Sequence, residues 1–203
     1  IFFIITNKSW ALDSAFSCGG KVENEAWQLW DGSVKNYLLK DLLHDRLLKQ
    51  GDVYALYDFQ EYIHNLVAMA RRCNRIIRLQ EMARVIDVAY TTLEPSVPVF
   101  SGLQWVCHGG SICGPGLLNK EVFLDTAQFL GVATSIANAL ATSGGILGEE
   151  DRLFIKNTAL IATEHLLRWS NKVEFDLIRT AKKTSVQDDN RPQHSFFPTN
   201  SFG

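Results

Sequence analysis

Glu94-Pro95-Ser96-Val97-Pro98-Val99-Phe100-Ser101-Gly102-Leu103-Gln104-Trp105-Val106-Cys107-His108-Gly109-Gly110-Ser111-Ile112-Cys113-Gly114-Pro115-Gly116 is the stretch on which the reading of this chain turns. From about Asn24 to Leu93 there is no proline, and apolar residues recur at helical steps. The quoted stretch breaks that texture, which resumes afterwards. A long irregular segment inside a compact helical domain is usually functional or disordered. This one holds too many apolar and aromatic residues for a solvated linker. The expectation is an all-α fold of about five long antiparallel helices, with one irregular loop near 94–118.

Working outward toward the N-terminus, Leu79, Met82, Ala83, Ile86, Ala89, Tyr90 and Leu93 mark one helix face. Leu56, Phe59, Ile63, Leu66, Val67 and Ala70 mark another, with Asp52 as its N-cap. Around Cys73-Asn74 a tight turn and a continuous bent helix are both open. Trp27, Trp30, Val34, Tyr37, Leu38 and Leu42 trace the first helix, which Asp31-Gly32-Ser33 can interrupt with Ser33 as an N-cap. Gly51 sits where that helix should stop.

Toward the C-terminus, Asn119 is an N-cap for a helix running to about Thr142. Thr126–Gly148 carries no charge over 23 residues, yet it is too polar for a membrane span. It reads as a buried helix whose Gly131, Ala133, Ala137 and Ala141 permit close approach. After a turn at Ser143-Gly144-Gly145, Glu149, Glu150 and Asp151 suit the start of a last helix, where the macrodipole favours negative charge. Ile155, Ala159, Ala162, Leu166, Trp169 and Val173 read as its packing face.

A formal charge of −2 leaves no footprint for nucleic acid. The densest basic cluster, Arg71, Arg72, Arg75 and Arg78, reads as a solvated face rather than a phosphate patch. Ile1-Phe2-Phe3-Ile4-Ile5 reads as the end of an apolar leader or as a buried arm, which tilts the reading toward an exported protein. The chain divides into an arm over 1–23, a helical domain over 24–181 and an extended tail over 182–203, and it reads as a portion of something larger.

Cys107 and Cys113 can close a disulfide in an oxidising compartment and hold Trp105 and His108 in place. A zinc site would need four ligands at paired spacings, which are missing. Asp58, Glu61 and His64 step by three along one side of a helix. Glu-x-x-His is half of a di-iron pattern whose second copy is absent, so no metal and no cofactor is expected. Phosphate-binding loops, dinucleotide fingerprints and nucleophile elbows are absent as well.

Tyr57-Asp58-Phe59-Gln60, His64-Asn65-Leu66, the Trp105 loop, the small-residue helix and His165-Leu166-Leu167-Arg168-Trp169 together resemble part of an α/α toroid. That architecture serves polysaccharide lyases, glycosidases and uronate epimerases. The resemblance covers Trp27 to Trp169 and falls short of a closed ring. It implies a glycan-acting domain with Asp58, Glu61 and His108 as catalytic groups and Tyr57, Trp105 and His64 binding the ligand. The competing reading asks less of the residues: a helical interaction or structural domain that docks a protein partner through the apolar arm Ile1–Ile5 and the aromatic tail Phe196–Phe202.

Overall fold

The computed structural model describes residues 16–95, 103–109, 121 and 123–180, and their side chains except those of 123–124 and 169–180. The sequence expectations for Ile1–Ile5, Phe196–Phe202, Cys113 and Asn119 fall outside these residues. Among the described residues the fold is predominantly all-α, with five helices and one two-stranded sheet.

The first helix, α1, is a rod over 21–49 that runs straight through Asp31-Gly32-Ser33. The anticipated break is absent, and Ser33 caps nothing: its hydroxyl donates to the Leu29 carbonyl one turn back. α-Helical Lys21–Leu29 and Lys35–Tyr37 alternate with π-wound Trp30–Val34 and Leu38–Lys49. The leucines explain the winding. Leu38, Leu42, Leu43 and Leu47 are all buried. At about 100° per residue an α-helix would put Leu47 roughly 180° from Leu38. Closing hydrogen bonds one residue further along fits more residues into each turn and returns these leucines to one face. Burying each stabilises the fold by about 2 kcal/mol, enough to offset poorer backbone geometry.

α1 ends at Gly51, in the left-handed region with φ +64, whose N–H bonds back to the Leu47 carbonyl at 3.0 Å. Helix α2 (Ala55–Arg72) follows, and the Asp52 carboxylate accepts the Tyr54 N–H at 3.1 Å just ahead of it. The α2 C-terminus is a tight turn. Asn74 takes φ +49, and the Asn74 and Arg75 N–H groups bond back to the carbonyls of Arg71 and Ala70, the Schellman arrangement. The Cys18–Cys73 disulfide pins the segment before α1 to this turn. Glu23 reinforces the pin: buried, it accepts from Arg75, the Gly19 N–H and the Trp27 indole.

Helix α3 (Ile76–Tyr90) leads into a short antiparallel pair, β1 (Glu94–Pro95) with β2 (Leu103–Gln104), Glu94 opposite Gln104. Helix α4 (Phe123–Ala141) packs against α2, α3 and the last helix, α5 (Glu149–Thr180). Its Ala133 and Ala137 are buried as expected, whereas Gly131 and Ala141 face outward. No described helix is long and apolar enough to cross a membrane.

α5 reverses an expectation. Its buried face is Asp151, Phe154, Thr158, Ile161, His165 and Arg168. Of the expected packing face, Ile155 and Ala162 are half-buried, while Ala159 and Leu166 are exposed. Arg168 is tolerated inside because Glu121 takes its Nε at 3.0 Å. Asp151 caps the helix, accepting the Gly148 N–H at 3.1 Å along with Gln80 and Arg84.

Candidate functional site

Two polar assemblies meet at the turn over 50–52. The first is the Trp105–His108 loop. Trp105 is 1% exposed, and its indole N–H donates to Thr92 Oγ1 at 3.0 Å and the Ala89 carbonyl at 3.3 Å. Its ring packs on Tyr90, Phe129 and His165. Trp105 therefore anchors the loop in the core rather than offering a face for stacking. Three residues on, the His108 N–H bonds the Gly51 carbonyl at 3.0 Å, and its Nε2 meets the Glu94 carboxylate. A recess of about 160 Å³ lies here, lined among others by Leu47, Val53, Glu94 and His108. Cys107 is buried and disulfide-bonded.

The second assembly is a carboxylate cluster spread over the end of α1 and the starts of α2 and α4. Arg46 bridges Asp52, at 2.7 Å, and Asp58. Asp52 is fully buried, and burial pushes its carboxyl upward against the pull of Arg46. Asp125 sits nearby on α4, 5% exposed, and its Oδ2 has no hydrogen-bond partner among the described residues. Burial first, then the charges of Asp58 and Asp52, raise it to about 7. One turn further along α4, the buried Gln128 Oε1 is likewise without a donor. Tyr57 is raised by burial and by its hydrogen bond to Glu61. Tyr37 and Tyr62 meet edge to face at 5.1 Å on the same side of the molecule as Arg46 and Asp58, whose charges both reach Tyr37.

The sequence candidates thus separate. Tyr57, Asp58 and Glu61 share the carboxylate cluster, and His64 lies exposed one turn further along α2. His108 belongs to the recess, which neither Asp58 nor Glu61 lines. Arg46, which organises the cluster, was not singled out in the sequence, because nothing local marks an arginine between Asp45 and Leu47 as the partner of Asp52 and Asp58. The buried set of Glu121, Arg168 and His165 was also missed. Burial, then the Arg168 charge, holds the His165 imidazole down to about 4, so it stays neutral in the interior.

Among the described residues one trio has metal-like spacing: Cys18, Glu23 and Cys73, with ligand atoms within 4.8 Å. The two sulfurs are joined in the disulfide and the carboxylate is held by Arg75, so the trio braces the fold. No family model, curated protein or solved structure matches this chain.

Proposed function

We propose that the chain is a disulfide-braced helical interaction domain of an oxidising compartment, which pairs with a second copy of itself through the outer face of α5. The observation that carries this reading is a row of leucines turned away from the core. Leu153, Leu160 and Leu167 are 54%, 52% and 62% exposed, and Leu166 beside them is 63% exposed. The first three are spaced by seven, the repeat with which two helices pack side by side. Charge selects the orientation. An antiparallel pair centred on Leu160 sets Leu153 against Leu167 and brings Lys156 toward Thr163 and Glu164 of the second copy. A parallel pair would set Lys156 on Lys156 and the acidic start of α5 on itself. The cysteines support this compartment: the three described ones, Cys18, Cys73 and Cys107, are all disulfide-bonded.

Light scattering on the full chain tests the reading. The wild type elutes as a dimer and Leu160→Glu as a folded monomer. Spin labels at Arg152 then report orientation: antiparallel copies hold them about 24 Å apart along the axis, parallel copies about 10 Å apart. A wild-type monomer at about 100 µM, a concentration that populates any pairing of micromolar strength, refutes self-association.

A second reading, a glycan-acting domain of the α/α-toroid type, is favoured by Asp125. A carboxyl raised to about 7 beside Asp58 and Asp52 has the character of a general acid. Assays of chain cleavage against acidic and neutral polysaccharides decide it. Turnover that vanishes in Asp125→Asn supports this reading, and no turnover on any of them removes it.

A further inference from the structure

A cleft of about 540 Å³ lies away from both assemblies, between the α2–α3 turn and the C-terminal end of α4. Its size falls in the range of small-molecule sites. Arg71, Arg72 and Asn74 line one side, Ile76 and Leu79 the floor, and Ala139, Thr142 and Ser143 the far wall. Among the described residues no carboxylate lines it.

The four arginines read from the sequence as one solvated face are held differently here, with Arg72 over the Phe16 ring at 5.1 Å. Arg75 is committed to Glu23, and Arg78 to Asp31 and Glu81. Among the described residues Arg71 instead donates one bond, 2.9 Å long, to a neutral hydroxyl, Ser135 Oγ. A guanidinium carries five N–H donors, so most of the Arg71 fork remains for a ligand.

The C-terminal ends of α2 and α4 that border the cleft carry partial negative charge, and local donors cover part of it. The Thr142 and Ser143 hydroxyls donate to the Asn138 and Leu140 carbonyls, and the Arg75 N–H covers the Ala70 carbonyl. The first turn of α3 has no side-chain cap and no acidic residue, so its N–H groups add donors to what the cavity and the arginines already define.

We infer that this cleft binds an oxyanion, carboxylate or phosphate, carried on a small apolar body. The Arg71 fork takes the oxygens as paired charge-assisted bonds, the Asn74 amide adds a donor, and Ile76, Leu79 and Ala139 cover the apolar portion. The inference is independent of α5 pairing and of the Asp125 chemistry, neither of which involves these residues.

Calorimetric titration of the full chain with phenyl phosphate, benzoate and inorganic phosphate tests it. The expected result is saturable binding of at least one aromatic probe, tighter than inorganic phosphate. Arg71→Gln should weaken it about tenfold or more, the effect of losing a charged hydrogen bond. Asn74→Gly, which keeps the left-handed turn and removes the amide, should weaken it less, and Arg152→Gln on α5 not at all. No saturation by about 10 mM of either aromatic probe, where even millimolar binding would register, overturns the inference. So does an affinity equal to that of inorganic phosphate, or one unchanged in Arg71→Gln.

Discussion

Replacing Gly51 with alanine probes the contact that joins the two polar assemblies. Gly51 has φ +64, and a Cβ there would lie 2.7 Å from His108 Cβ and 3.2 Å from its Cα and N. The left-handed backbone alone costs about 1–2 kcal/mol for a residue with a side chain. The clash adds to this, because neither atom of His108 is the end of a flexible chain. Relieving it moves the loop and lengthens the His108 N–H bond to the Gly51 carbonyl, worth about 1 kcal/mol. Together these predict a loss of about 3 kcal/mol, or a fall in Tm of roughly 10 °C for a domain of this size. Two other glycines separate the contributions. Gly144 has φ +69 with nothing within 4 Å of its Cβ position, so Gly144→Ala isolates the backbone cost. Gly32 lies inside α1 with the same open space, so Gly32→Ala should stabilise the protein by about 0.5–1 kcal/mol. Thermal and urea denaturation of the three variants is the assay. If Gly51→Ala is no worse than Gly144→Ala, the loop does not dock on that turn. If Gly32→Ala destabilises, α1 is broken there after all.

Two further predictions concern the brace and the buried acid. Removing the Cys18–Cys73 bridge with paired serines should cost about 4 kcal/mol, from the loop entropy of its 55-residue separation. Urea midpoints of the variant and wild type measure that, and an unchanged midpoint rejects it. Asp125, ordinarily near 3.8, is raised to about 7 in the fold. The native state therefore binds the extra proton between those values, and the stability from this group is full below about 3.8 and falls as pH rises through 7. Asp125→Asn should thus gain on the wild type from pH 4 to pH 8 in thermal melts, and a constant difference would show that Asp125 is already ionised at pH 4.

Helices were legible wherever the stabilising face repeats at an α-helical step. Phe59, Ile63, Val67 and Ala70 on α2 did so, and all are buried. Two places were misread for physical reasons. Gly32 costs a helix about 1 kcal/mol, which suggested a break. The burial of Trp30 on one side and Leu38 on the other outweighs it, and the π winding they require follows no α-helical period. On α5 the apolar stripe was traced correctly as a pattern and assigned to the wrong side. Thr158, His165 and Arg168 look like a solvent face on a helical wheel. Each makes a bond inside that the wheel cannot show: Thr158 to Tyr90, His165 to its own helix carbonyl at Ile161, and Arg168 to Glu121. The site was legible only in part. Tyr57, Asp58 and Glu61 share one helix, so spacing brought them together, whereas Arg46 and Asp125 join them only through the fold.

The placement of Trp105 constrains what chemistry the chain can carry. An aromatic ring in a Gly- and Pro-rich loop suggests a stacking platform, but this one spends its indole N–H on Thr92 and the Ala89 carbonyl inside the core. Drawing it out would expose a ring worth several kcal/mol of burial and break both indole bonds. Asp58 is likewise held by Arg46, and His108 meets Glu94. Groups held this firmly set the loop against α1 and α2, and they cannot also swing toward a substrate without loosening that contact. Among the described residues, unsatisfied hydrogen-bonding capacity outside the loop includes the Asp125 and Gln128 acceptors, Nη1 of Arg84 and of Arg168, and the Arg71 fork. An isolated buried acceptor costs about 1–3 kcal/mol, so a donor that reaches Asp125 recovers that energy on binding. Chemistry at this domain should therefore be sought at α4 and in the Arg71 cleft before the loop.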